Sequence, residues 1–397
     1  MSQTILFTVE HLYPFGDGRM LLPLSRELVR RGLDVVVVVL GQATFSAEQW
    51  RDAGIRIFFA NGDDKTPLHT SRDAFHVIRE LRSVIRIVEP NLVHAWCGES
   101  IWLTLLAVQE PMFTKPLPKF RFVATELAIR EQTGFARKVL ENFMASQLET
   151  LIVPHEVVSE SMTERGMNPD QFLTIPNAYV RHAFDAEHEI AFADRGSQIR
   201  GEIRESVREQ MDLPKDAKLV VAIADLVPKT RLKDLVWATD LLVCIRDDFH
   251  FAIIGRGPQK KRLQRFAAQT EAKPNVHFCG LMDSPDRLLA AADVYWHAHL
   301  QQPLPVSLLT AMSMGVPAIS VYGPGTSEVI RHQETGFGTN FGARDEFARW
   351  TKFLLERLES GAQLARQGQN FVESNYTMDK MVEAYLDVYQ LSVARLR

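Results

Sequence analysis

Short apolar runs alternate with helical periodicity along almost the whole chain. Runs at residues 5–9, 34–40, 55–59, 92–95, 121–125, 151–153 and 172–175 are dominated by Val, Ile, Leu and Phe. Several have little polar alternation, which predicts strands covered on both faces, as in a parallel sheet. Between the first two, Met20, Leu21, Leu24 and Leu28 fall on one face of a helix that Gly32 stops. Over residues 181–218 the strand signal disappears and charge rises. The alternation restarts at 219–224, 250–254, 276–279, 294–297 and 318–321, and the tail from Asp345 reads as helix. The pattern predicts an α/β protein with two doubly wound, Rossmann-like domains, at 1–180 and 218–375, a linker at 181–217 and a last helix at 376–397.

Length agrees, since 397 residues exceed what one core organises. A net charge of −4 gives no general attraction for nucleic acid. Cys97, Cys244 and Cys279 stand far apart and suggest neither a disulfide framework nor a zinc pair. The chain enters its first strand without a basic region and a long apolar one, and no run reaches membrane-spanning length. The expectation is a cytoplasmic protein with no transmembrane segment, for which peripheral membrane contact stays open. Lys115, Lys119, Arg121, Arg130, Arg137 and Lys138 form either a solvated surface or a basic face for an acidic acceptor or anionic lipid.

The sharpest local signal is Phe251-Ala252-Ile253-Ile254-Gly255-Arg256-Gly257-Pro258, a strand running into a glycine turn and a basic helix. Alone it is a turn with left-handed backbone, or a place where a ligand approaches the main chain. It is followed by Val276-His277-Phe278-Cys279-Gly280, by Ala292-Asp293-Val294, by Ala311-Met312 with Gly315-Val316-Pro317, and by Pro324-Gly325 with Glu328. That succession resembles glycosyltransferase family 4. The resemblance covers nearly the whole chain and implies the GT-B architecture: an acceptor domain, a nucleotide-sugar donor domain, a cleft between them, and a last helix returning to the first domain.

The functional places of that family are changed here. Gln302 and Thr310 stand where it has two glutamates eight residues apart. Asp225 and Thr230 stand where an arginine and a lysine clamp the donor's diphosphate, so Lys229, Arg231 or Lys233 is left to supply a displaced cation. Glu126 stands where many relatives have a histidine near the reacting sugar, and reads as a base or as a helix cap. Gly16 and Gly18 flank Asp17 in the first loop, a place that approaches donor or acceptor. Asn177 reads as a turn residue.

If transfer persists, the resemblance puts Gly16, Gly18, Gly255, Gly257, Thr310 and Glu328 on the donor. Gln302 then touches the sugar, Glu126 does acid–base work, and Lys229 or Arg231 holds the diphosphate. The implied reaction is retaining transfer from a nucleotide sugar to a saccharide or lipid acceptor, with neither metal nor cofactor. The competing reading is an inactive relative whose cleft binds a ligand or partner protein; a GT-B enzyme such as a sugar-nucleotide epimerase is a weaker third. His297 and His299 could share one face of a strand end, but no third metal ligand follows. His11 and His94 read as hydrogen-bonded cleft histidines.

Overall fold

The computed structural model describes residues 3–12, 18–41, 47–60, 71–109, 116–127, 148–181, 200–282, 285–300 and 302–394. They form two compact units, Met1–Asn177 with Met378–Arg397, and Ala178–Thr377.

In the first unit seven strands, β1 Thr4–Val9, β2 Asp34–Val39, β3 Arg56–Phe59, β4 Leu92–Trp96, β5 Arg121–Thr125, β6 Thr150–Val153 and β7 Phe172–Thr174, lie in the order β3-β2-β1-β4-β5-β6-β7. Every pairing is parallel. Ile5, Leu6, Phe7 and Val35 to Val39 are buried regardless of which face they point to, so an unbroken apolar run marks these strands. The helix Gly18–Arg30 buries Met20, Leu21, Leu24 and Leu28, and Gly32 follows with φ 85°.

The C-terminal helix Met378–Ala394 belongs to this unit and is fastened to it by a buried polar chain. His94, on β4, hydrogen-bonds the Tyr389 hydroxyl through Nδ1 at 2.8 Å and the Thr125 hydroxyl through Nε2 at 2.8 Å. Thr125 in turn meets the Tyr385 hydroxyl at 3.2 Å. Phe7 and Trp96 pack against the His94 ring, and Arg31 pairs with Glu383 on the helix surface. His94 is thus an interior residue, not the cleft histidine expected from its place at a strand end.

The second unit holds β8 Lys218–Ile223, β9 Phe249–Ile254, β10 Val276–Gly280, β11 Val294–His297, β12 Ala318–Val321 and β13 Phe337–Thr339, in the order β10-β9-β8-β11-β12-β13, again all parallel. β13 has only three residues with glycine in the middle, too short to show a hydrophobic period. The charged stretch expected as a linker contains a helix at residues 200–210 that is part of this unit. Arg200 donates to the carbonyls of Ala290, Ala292 and Gly315, while Arg204 and Arg208 bind the Asp293 carboxylate. Its charge is internal glue, which a reading of charge as solvation does not reveal.

Burial pushes the His94 imidazole down to about 3, from an ordinary value near 6.5. The unfolded chain then binds a proton below pH 6.5 that the folded chain refuses. The stability concerned is complete above pH 6.5 and is lost as pH falls toward 3, by about 1.4 kcal/mol per pH unit. Denaturant unfolding at pH 7, 6, 5 and 4 should show a slope shallower by about that amount in His94→Gln than in the parent; equal slopes would refute the assignment.

Candidate functional site

A doubly wound sheet binds ligands outside the carboxyl ends of its strands, at the point where strand order reverses. In the second unit that point lies between β8 and β11. The chain leaves β8 through Ala224 and Asp225, leaves β9 through Gly255, Arg256 and Gly257, and leaves β11 through Ala298 and His299. The first two exits are laced together: the Ala224 N–H donates to the Ile254 carbonyl, the Leu226 N–H to Arg256 and the Gln259 N–H to Leu226. A Cβ on Gly255 would lie 1.9 Å from the Ala224 oxygen, and one on Gly257 would lie 2.5 Å from the Leu226 oxygen. Both positions also have φ near +150°. The glycines are therefore required by the approach of two chain segments, whatever else they touch.

Charge gathers on this lattice. Asp225 is exposed, yet the protein crowding its carboxyl raises its pKa, against the pull of the Lys229 and Arg256 charges. Burial pushes His299 down to about 4, with the Lys229 charge acting in the same direction, and burial pushes His297 down to about 3. Both rings are neutral at pH 7. His299 Nδ1 and His297 Nε2 are buried and have no hydrogen-bond partner among the described residues. No group of three His, Cys, Asp or Glu spaced to hold a metal occurs among the described residues. Arg256 escaped notice in the sequence because it sits inside the glycine turn; a cation there was the available signal.

The other expected cations turn away. Thr230 is 4% exposed, and its hydroxyl bonds the carbonyls of Asp225 and Val227 at 2.8 Å, tying the turn. Arg231 has φ 54° and directs its guanidinium to Asp234, with Nε to Oδ2 at 2.6 Å, and over the Phe341 ring. Arg344 completes that group, 2.8 Å from Asp234 and stacked on Trp237. Lys233 lies over Phe266. Of the candidates for a displaced cation, Lys229 alone acts on both Asp225 and His299.

Gln302 is half-buried, four residues before the helix Val306–Ser313, and Glu328 is exposed on Thr326–Val329. Thr310 is different. It is fully buried, accepts the Val180 N–H at 3.1 Å and donates to the Val180 carbonyl at 3.1 Å. Expected as a donor contact, it closes the start of its own unit, because a short hydroxyl can satisfy both backbone groups where a longer carboxylate could not.

In the first unit the strand order reverses between β1 and β4. Here Glu10 and His11 form a pair at 2.9 Å, which lowers the Glu10 pKa, helped by the Glu99 N–H. Cys97 and Gly98, at the end of β4, both have positive φ, and a Cβ on Gly98 would lie 3.4 Å from the Glu10 carboxylate. Glu126 follows β5 but is only 2% exposed, and its N–H bonds Ile152. Glu10, overlooked in the sequence although it directly follows a buried strand, is the more open carboxylate. Gly16 and Asp17 lie outside the described residues, as do Lys115, Arg130, Arg137 and Lys138; Gly18 begins the first helix.

Comparison with known proteins fits this geometry. Residues 16–178 match the description "Glycosyl transferase 4-like domain" and residues 203–371 match "Glycosyl transferases group 1". The chain is 24% identical over 181 residues to the lipopolysaccharide core biosynthesis glycosyltransferase LpsE of Rhizobium meliloti, covering 46% of this chain and 52% of that one. It is 24% identical over 183 residues to the N-acetyl-alpha-D-glucosaminyl L-malate synthase of Bacillus anthracis, covering 46% and 48%. The chain thus spans about half the length of these curated relatives. Among solved structures it is similar to Anabaena Alr3699/HepE in complex with UDP and glucose, with TM-score 0.80, 16% identity, and 97% and 99% of the two chains covered. It is also similar to sucrose-phosphate synthase from Thermosynechococcus elongatus, with TM-score 0.78, 16% identity, and 99% and 100% covered. These likenesses establish the GT-B class of fold.

Thr310, expected on the donor, is enclosed against Val180. A carboxylate there would be enclosed against the Val180 carbonyl, a defect of about 3 kcal/mol or more. Thr310→Val should cost about 2 kcal/mol by leaving the Val180 backbone unpaired, and Thr310→Ser much less. Urea denaturation ranks the three, and a stable Thr310→Glu protein would show that the site opens.

Proposed function

Because this chain belongs to the glycosyltransferases, with a family 4-like domain followed by a group 1 domain, we propose that it transfers a sugar, with retention, from a nucleoside-diphosphate donor to a saccharide or lipid acceptor. One observation carries the reading: Lys229 and Arg256 belong to the laced exits of β8 and β9, where the Leu226 N–H meets the Arg256 carbonyl, and both charges act on the Asp225 carboxyl there. Two cations beside one Asp leave net positive charge where a diphosphate would lie, and they would stabilise it as it leaves. That a neighbour of the same fold holds UDP and glucose supports a donor of this class.

On this reading Lys229 and Arg256 replace the arginine and lysine of the family, and Asp225 sets their spacing. Gln302 meets a sugar hydroxyl, and Glu328 and the exits of β8 and β9 hold the nucleotide. The bond from the sugar carbon to the diphosphate oxygen breaks as the acceptor oxygen bonds to the same face, and the acceptor proton passes to the departing phosphate. In the first unit Glu10 is the open carboxylate for an acceptor hydroxyl, and Glu126, enclosed after β5, is a positioning residue.

A second reading, a non-catalytic relative that binds a ligand or partner protein, is favoured by one pattern. Thr230, Arg231 and Thr310 have all turned to intramolecular partners. Calorimetric titration with nucleoside diphosphates and nucleotide sugars separates the two readings. Lys229→Ala and Arg256→Ala should each weaken binding by about tenfold or more, the worth of a charge-assisted hydrogen bond. Arg231→Ala should change it less than about twofold, since its partner is Asp234. Absence of binding across the whole panel at millimolar ligand would favour the inactive relative, and equal effects of the three variants would remove Arg256 from the site.

A further inference from the structure

The helix Leu232–Val243 buries Leu232, Leu235, Val236, Thr239 and Leu242 in the second unit. Its outward arc, continued through the turn that follows, carries Lys233, Trp237, Asp240, Leu241, Cys244 and Ile245. Trp237, Leu241 and Ile245 recur every fourth residue and keep 38%, 36% and 50% of their surface exposed. Isolated exposed apolar side chains are ordinary, but a strip along successive turns marks a contact surface.

Beside the strip lies the helix Lys260–Ala267. Its Phe266 ring is 5.9 Å from Trp237, and Lys233 Nζ sits 4.6 Å above Phe266. The exposed Lys260, Lys261, Arg262 and Arg265 share this short helix, which contains no acid. Among the described residues none of the four lies within ion-pair distance of a carboxylate. Asp240, the acid on the strip, accepts the N–H groups of Glu271 and Ala272. The chain as a whole is negative, so this basic concentration is local.

We propose that this face docks on an anionic phospholipid bilayer, with Trp237, Leu241 and Ile245 entering the interface and Lys260, Lys261, Arg262 and Arg265 on the headgroup phosphates. Aromatic and aliphatic side chains flanked by unpaired cations suit a surface that is apolar just beneath a layer of phosphate. This face carries none of the residues to which the catalytic reading gives a role, so the inference does not depend on that reading.

The test is sedimentation of the full chain with phosphatidylcholine vesicles and with vesicles containing 30% phosphatidylglycerol. Partition onto the anionic vesicles should be at least about tenfold stronger and should collapse in 0.5 M NaCl, where screening is nearly complete over a few ångströms. Lys261→Glu/Arg262→Glu/Arg265→Glu should reduce it to the level of neutral vesicles. Trp237→Ser/Leu241→Ser should lower it several-fold while keeping its salt dependence. Melting curves confirm that each variant is folded, and glutamine replacements serve if the glutamates do not fold. Equal partition onto both vesicles, undiminished binding by the charge variants, or binding to single-stranded RNA with none to vesicles would each overturn the proposal.

Discussion

The carbonyl oxygens of Ala224 and Leu226 occupy the space where side chains at positions 255 and 257 would begin. The second half of the molecule is organised around that exclusion. With a Cβ at either place the exits of β8 and β9 would have to separate, and the backbone bonds from Ala224, Leu226 and Gln259 would break together. Asp225 comes under the charge of Arg256 because these two exits are laced. Glycine here is a packing requirement first, and it positions charge as a consequence.

Around this lattice, polar side chains that could have met a ligand have found partners within the chain. Thr230 ties its own turn, Arg231 is held by Asp234, and Thr310 closes on Val180. For the buried Thr230 and Thr310 the arrangement removes an unsatisfied group, which would otherwise cost roughly 1–3 kcal/mol. The charges of Lys229 and Arg256 act on Asp225, while His297 and His299 are held neutral by burial. The first unit follows a different logic: its buried hydrogen-bond chain through His94, Thr125, Tyr385 and Tyr389 fixes the C-terminal helix, and leaves Glu10 and His11 at the strand ends.

The sequence by itself determined the strands other than β13, their parallel class and the two-unit organisation. Burial on both faces demands apolar side chains at nearly every position of β1, β2 and β8, and that demand is local enough to read residue by residue. The glycine turn after β9 was legible for the same reason. Tertiary structure alone decided where the polar side chains point. Thr310 meets a backbone 130 residues away, and Arg200 and Arg208 cap carbonyls that a linear reading cannot bring near. A hydrophobic period records only which side of an element is dry. The partner of a charge or hydroxyl depends on which distant segments the folded chain brings within about 3 Å, the reach of a hydrogen bond, and no local pattern encodes that.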